Sequence, residues 1–378
     1  MAADLRQCVF QPAGFGALGV SGICACAAGA VTVGTIFGRG RVAAVCLGRM
    51  AGGVCLVFLY CFSGFGLALL LGGERFATVE VEIYRLVAYE LDMARASVLV
   101  WLVLAVTAAA GGLYAYWSKR VAVDKSVSPL PPRAPIWAWE KWLTATVLAM
   151  LAVCCLLPLA AVWLKAVSAG SSWAVLLEAQ TWAAVWNTVR FSAAAVAAAT
   201  ILGVLYAAAA RQMAWLRALM FLPFMVSPVC IAFGVLLLYP QWTASLWLLT
   251  ATYALLAYPF VAKDVLAAWD SLPKDYAAAA RTMGANGFQT ACYVTAPLLK
   301  PALRRGLTLA SATCIGEFAA TLFLSRPEWQ TLTTLIYDYL GRAGADNYGR
   351  AMVLTAVLTA LALTAFLLVD EAEGQKAV

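Results

Sequence analysis

The stretch Leu272 to Leu303, LPKDYAAAARTMGANGFQTACYVTAPLLKPAL, is a polar and basic loop set between two apolar runs. It reads as two short helices hinged at a glycine. Pro273 fits the first turn of a helix, where its missing N–H costs nothing, and Tyr276 to Met283 has the Ala-rich composition of a strong helix former. Gly284 can then take the left-handed conformation that ends this helix. Asn286 followed three residues later by Gln289 is a capping-box pattern, which predicts a second helix from Gly287 toward Val294, stopped by Pro297. The run Ala277 to Ala280 presents a face almost free of side chains, so another protein surface can approach the backbone there closely.

Composition places the chain in a membrane. Of its 378 residues 64% are hydrophobic and 12% charged, with a mean hydropathy of +0.85; a soluble chain of this length carries far more polar surface. Apolar runs of spanning length, about 20 residues, occur near Ala51 to Leu71, Ala96 to Trp117, Leu143 to Leu164, Thr188 to Ala210, Ala218 to Tyr239, Ser245 to Ala262, Gly306 to Leu324 and Ala351 to Val369. A ninth, Gly14 to Phe37, is rich in Gly, Ala and Cys, and is too long and too poorly flanked by positive charge to read as a cleavable signal. The expected fold is an all-α polytopic membrane protein of eight or nine transmembrane helices.

Lys and Arg set the orientation. The loop from Lys263 to Arg305 holds six basic residues against three acidic ones, which places it on the cytoplasmic side. Arg326 to Arg350 balances three against three, and Val167 to Trp182 has Glu178 and no base. Counting spans back puts Ser118 to Lys141 inside, and that segment carries Lys119, Arg120, Lys125, Arg133 and Lys141. The net charge of +7 is therefore a topology signal and not a nucleic-acid footprint. Ser128 to Pro132, SPLPP, is a stiff linker and the best domain boundary.

The sequence repeats itself across that linker. Phe65, Ala77, Thr78, Ile83 and Tyr84 return 253 positions later as Phe318, Gln330, Thr331, Ile336 and Tyr337, and after a two-residue shift Arg95-Ala96 returns as Arg350-Ala351. Such self-similarity is expected when two copies of a membrane unit form one pathway. The copies are unequal. Residues 1–117 hold an incomplete first copy in which the last two spans are clear, 118–141 is a cytoplasmic linker, and 142–370 is a complete six-span copy with the loop 263–305. Before Ala51, Gly38 to Met50 has Arg39, Arg41 and Arg49 but no Ala-Ala spacing. Either the first half is eroded or the chain begins downstream of the true start.

The loop resembles the cytoplasmic "EAA" loop of the inner-membrane permease subunits of ABC importers: EAA, three residues, Gly, nine residues, Ile-x-Leu-Pro. Ala279, Ala280, Gly284, Val294 and Pro297 keep that spacing. Ala278 stands where the family has Glu and Ala296 where it has Leu; Asp275, one turn earlier, is placed to stand in for the missing acid. Asn187-Thr188 opening a span, and Leu222-Pro223-Phe224 with Ser227-Pro228 kinking the next, also suit this family. Leu59 to Phe62, Leu71 to Gly73, Ala77 to Tyr84 and Tyr89 to Ala96 look like the fused two-copy permeases that import thiamine, with ferric-iron permeases next. The resemblance implies a type I (MetI-like) permease bundle in a bacterial inner membrane. Its partners would be two copies of a cytoplasmic ATPase, an extracytoplasmic solute-binding protein and the lipid bilayer, with assembly as a homodimer the alternative to a two-copy chain. The docking residues would be Asp275, Ala278, Ala279, Ala280, Gly284, Asn286 and Pro297.

Other chemistry is poorly supported. There is no His, which removes the commonest proton shuttle and metal ligand, and no phosphate loop, so ATP would be bound by the partner and the chain needs no cofactor of its own. Cys24, Cys26, Cys154 and Cys155 lie in apolar runs and read as small buried hydrophobes. Glu317 is an acid inside an apolar span, a candidate for attracting a cation. The family's Gly-Glu-Phe at this place, here Gly316-Glu317-Phe318, favours instead a structural bond to a neighbouring helix. Phe62, Phe65, Phe318 and Phe323 either line a path or pack helices. An ion-coupled secondary transporter and an ATPase-independent scaffold are the readings of other classes.

The orientation is directly testable. On a Cys-free background Asn286→Cys should be shielded from impermeant thiol reagents in whole cells while Asn347→Cys is labelled; the opposite pattern inverts the topology.

Overall fold

The computed structural model describes residues 54, 57–58, 61–72, 76–120, 138–220, 226–242, 245–324 and 326–374, and all regular elements among them are helical. In chain order these are α1 (Phe65–Leu71), α2 (Val79–Arg85), α3 (Met93–Arg120), α4 (Ala138–Val167), α5 (Ala179–Gln212), α6 (Ala214–Leu219), α7 (Pro228–Leu238), α8 (Leu246–Ser271), α9 (Lys274–Thr282), α10 (Gly287–Thr290), α11 (Ala296–Ile315), α12 (Ala319–Leu324), α13 (Leu332–Gly341) and α14 (Ala345–Gly374). A π turn, Leu86–Glu90, follows α2, and another, Ala291–Thr295, joins α10 to α11. The expected span at Gly14 to Phe37, the basic segment Gly38 to Met50 and the linker core Ser128 to Pro132 lie outside the described residues.

Among the described residues five helices are long and apolar enough to cross a membrane: Met93–Leu113, Lys141–Val167, Ala179–Gln212, Leu246–Ser271 and Ala345–Val369. Other expected spans are divided. The run Ala51 to Leu71 is interrupted at Ser63 and Gly64, before α1. Within Ala218 to Tyr239, Ser227 and Pro228 do not kink a helix but begin one: Ser227 Oγ accepts the Val229 N–H at 3.2 Å and Pro228 takes the first turn, where no donor is needed. The resulting α7 has 11 residues, roughly 16 Å at about 1.5 Å per residue. The run Gly306 to Leu324 breaks at Gly316–Phe318 into α11 and α12. The fourth span begins at Ala179, so Asn187 and Thr188 lie inside α5 and do not open it.

The chain divides into two compact units, Met1–Gly64 with Leu104–Ala161 and Phe65–Val103 with Val162–Val378. In the first unit, α4 exposes Leu148, Met150, Val153, Leu156 and Leu157, a wholly apolar surface that only lipid tails solvate without cost.

The core of the second unit is built on small residues. Helix α5 buries Ala195, Ala199, Ala207 and Ala210 at nearly helical spacing, which lets α8 approach it closely. A Cβ added to Gly203 of α5 would lie 2.7 Å from Val261 Cβ, and one added to Gly306 of α11 would lie 2.8 Å from Val261 Cα. Val261 of α8 is thus held between two glycines on two helices. At the ends of α5 and α8, Arg217 of α6 forks onto Asp270 at 2.8 and 2.9 Å and donates to Ala210 O at 2.9 Å. A second core gathers Ala184, Leu332, Leu335, Val353 and Leu354 from α5, α13 and α14.

Several positions 253 residues apart have similar backbone features. Helix α1 follows a break at Gly64 as α12 follows one at Glu317; Thr78 and Thr331 are the extended N-caps of α2 and α13; and Leu91 and Gly344 both have positive φ, 55° and 123°. Each pair is 253 residues apart. Leu91 is the non-glycine residue with positive φ among the described residues, so the first copy holds a bulky side chain where the second uses glycine.

The Val261 clamp sets a test. Gly306→Ala should lower stability by about 1–3 kcal/mol through overpacking, whereas Gly234→Ala, whose Cβ meets nothing within 4 Å, should be close to neutral; thermal unfolding of the purified protein in detergent measures both.

Candidate functional site

The loop from Leu272 to Leu303 is a rigid corner. Pro273 is the N-cap of α9 and not part of its first turn, with φ −58° and ψ 134°, and the helix begins two residues earlier than Tyr276. Its first turn carries Asp275, which suits the positive end of the helix. The other end closes as a Schellman motif: Ala285 N–H donates to Ala280 O at 3.1 Å, Gly284 N–H to Arg281 O at 3.0 Å, and Gly284 takes φ +89°. The capping box then starts α10, with Gln289 N–H donating to Asn286 Oδ1 at 2.8 Å and Asn286 N–H to Gln289 Oε1 at 2.9 Å. Consecutive caps leave the angle between α9 and α10 little freedom.

Pro297 does not stop the second helix. The π turn Ala291–Thr295 runs directly into α11, with Pro297 in its first turn. The wider turn changes the bonding register ahead of the proline, so the ring displaces no regular helical bond. One continuous helical path therefore runs from Gly287 to Ile315.

Asp275, Ala278, Ala279, Gly284, Asn286 and Pro297 are exposed, and Ala280 is buried under the α9 turn. Beside them Met283, Phe288 and Tyr293 are 83%, 78% and 79% exposed, with Tyr276 also open. Large apolar side chains thus stand out of a polar, basic corner. The sequence signal for them was available, since Met283, Phe288 and Tyr293 interrupt the polar run, but it attracts no notice without the caps that hold them outward.

The remaining candidates come together where the two copies meet. Phe65 of α1 stacks on Phe318, with ring centroids 6.0 Å apart, and these are the same position in the two copies. Phe65 packs edge-on against Tyr84 of α2 at 5.8 Å, as its counterpart Phe318 packs against Tyr337 of α13 at 5.4 Å. Phe323 of α12 closes the group, 5.4 Å from Tyr84 and 6.4 Å from Phe65. Phe62 belongs to the other unit, where it is stacked on Phe58.

Glu317 is buried at the break beside this group, and its carboxylate accepts the Ala320 N–H at 3.0 Å. It caps the helix that follows it in sequence, so the expected bond to a neighbouring helix is made instead by its carbonyl, which accepts Thr333 Oγ1 of α13 at 3.1 Å. Thr321 Oγ1 donates to the same carbonyl at 3.1 Å and is in hydrogen-bond contact with the Tyr253 hydroxyl of α8. Asn187 is equally committed: its Nδ2 donates to Gln330 O at 2.9 Å, while Thr188 Oγ1 accepts the Leu332 N–H at 2.9 Å. These neighbours in α5 hold the start of α13. On the far side of α13, Arg350 pairs with Glu178 at 2.6 Å and Asp346 at 2.9 Å, and Tyr339 OH donates to Glu178 at 2.9 Å.

One acid that the sequence reading passed over is Glu80 of α2. It is 1% exposed, and neither carboxyl oxygen has a hydrogen-bond partner. In the pattern Val79-Glu80-Val81-Glu82 it looks like the polar face of a surface element.

Residues 199–370, from α5 through α14, match the family described as binding-protein-dependent transport system inner membrane component. The thiamine transport system permease protein of Salmonella typhimurium (strain LT2) is 25% identical over 85% of this chain and 62% of its own length. A permease of the same organism assigned to 2-aminoethylphosphonate transport is 27% identical over 50% of this chain and 73% of its own. The sulfate transport system permease protein of Escherichia coli (strain K12) is 32% identical over 39% and 58%. The chain thus spans about three fifths of the thiamine permease and about three quarters of the aminoethylphosphonate one. Residues 199–370 thus resemble the binding-protein-dependent transport system inner membrane components, and the relatives named above are transport system permease proteins.

Proposed function

We propose that the chain forms the transmembrane pathway of an ATP-driven importer for thiamine. In this reading a separate cytoplasmic ATPase, present in two copies, docks on Leu272 to Leu303, and an extracytoplasmic solute-binding protein delivers the solute. The observation that carries the docking role is the doubly capped corner between α9 and α10, with Met283 and Phe288 exposed on it. A rigid corner transmits force, where a flexible loop would absorb it. Movement of α10 passes along the unbroken helical path to Ile315, next to the break at Glu317 and the Phe65–Phe318 stack. Approach and separation of the ATPase subunits would in this way part or close the rings between the two copies. The chain itself performs no covalent chemistry; ATP is bound and hydrolysed by the partner.

Thiamine is favoured over the other solutes by extent of likeness. The thiamine permease aligns over 85% of the chain, whereas the aminoethylphosphonate and sulfate permeases align over 50% and 39%. An alignment of that reach must include part of the first copy, with α1 and α2 or their neighbours, and so part of the junction that the solute would cross.

Gly284 provides the test. A Cβ there meets nothing within 4 Å, so substitution acts only through the backbone, where φ +89° costs a side chain roughly 1–2 kcal/mol. Gly284→Val should reach the membrane at the normal level yet lose ATPase association in pull-downs, with thiamine uptake falling about tenfold, a 1.4 kcal/mol effect. Gly287→Ala, equally open and without positive φ, should behave as the parent. A Gly284→Val protein that keeps both association and full uptake removes the docking role.

A further inference from the structure

The buried acid that the fold does not use is Glu80. Its carboxyl lies against the Phe65 backbone and Ser227, no hydrogen bond of regular geometry reaches either oxygen, and no Lys or Arg among the described residues pairs with it. An enclosed carboxyl without a counter-ion or a well-formed hydrogen bond is destabilising and calls for another reason to be there. The second copy shows what the position requires structurally. Glu80 corresponds to Thr333, a hydroxyl that donates to Glu317 O. A hydroxyl therefore suffices for packing and bonding at this point, and the charge-bearing group of the first copy is additional.

Its surroundings give that group a chemistry. Glu80 lies one turn before Tyr84 on the same face of α2, and Tyr84 belongs to the ring group at the junction of the copies. A carboxylate one helical turn from a group of aromatic rings supplies the donor set for an organic cation with delocalised charge, which satisfies the acid and the ring quadrupoles together. It repels a sulfate or a phosphonate. In this conformation the site is shut, because Glu80 is buried and Phe65 is stacked on Phe318.

We propose that Glu80, with the rings of Phe65, Tyr84, Phe318 and Phe323, forms a cation-recognising site in the translocation pathway, exposed when the two copies part. The site rests on the permease reading and narrows the solute class to organic cations.

The test is uptake of labelled thiamine, labelled choline and labelled sulfate by cells producing the full transporter, with the chain unchanged or carrying Glu80→Gln. Glu82→Gln, at a partly exposed acid paired with Arg85, is the control and should not alter uptake. Glu80→Gln should leave thermal stability unchanged or raised, since an amide is cheaper to bury than an unpaired carboxylate, and should cut cation uptake about tenfold, with the cost mainly in KM. If thiamine is carried equally well by Glu80→Gln, the site is overturned and the thiamine reading stands. If choline is carried in a Glu80-dependent way and thiamine is not, the site stands and thiamine is overturned. Uptake of sulfate alone, or of neither cation, overturns the site, as does a loss of stability that parallels the loss of uptake.

Discussion

Backbone N–H groups in an apolar surrounding need a partner, and the break at Gly316–Phe318 exists because Glu317 supplies one. Its carboxylate takes the Ala320 N–H, while its carbonyl collects the hydroxyls of Thr321 and Thr333. A helix can end inside the membrane only where such groups are satisfied by protein. The turn so stabilised swings Phe318 onto Phe65, its own counterpart, and brings α13 against α5, where Thr188 and Asn187 complete the bonding. The acid often read as a functional charge is here a helix cap, and losing the carboxylate would leave the Ala320 N–H at the start of α12 without its partner.

The break and the docking corner are connected by one helical path. Helix α11 leaves the corner through a π turn and arrives at the break, passing Gly306 against Val261 on the way. Because Gly203 grips the same valine from α5, α11 cannot shift without acting on α8 and α5. Close packing of this kind transmits displacement instead of absorbing it. A displacement of the corner between α9 and α10 therefore has a mechanical route to the Phe65–Phe318 stack.

What the sequence made legible was local chemistry and the general class. The capping box at Asn286 and Gln289, the left-handed Gly284 and the apolar composition each express a rule that acts within a few residues. The breaks were not legible, because hydropathy counts apolar residues and does not register who satisfies an N–H when a helix stops. Thus Gly306 to Leu324 looked continuous, Ser227 and Pro228 looked like a kink instead of a start, and Pro297 looked like a stop although a preceding π turn accommodates it. Asn187 was noticed for its place near a span, but its partners lie 143 residues away at Gln330. Glu80 was missed for the opposite reason, since alternation with valine resembles a solvated face and only the packed structure shows the carboxyl enclosed.

The central claim is that the Phe65–Phe318 contact between the two copies closes the pathway and opens under ATP. A disulfide between Phe65→Cys and Phe318→Cys on a Cys-free background, formed in the purified transporter with its ATPase, measures that contact directly. The account predicts ready cross-linking without nucleotide and a marked fall in yield when a non-hydrolysable ATP analogue is bound. A yield that does not respond to nucleotide, or no cross-link in either state, would contradict it.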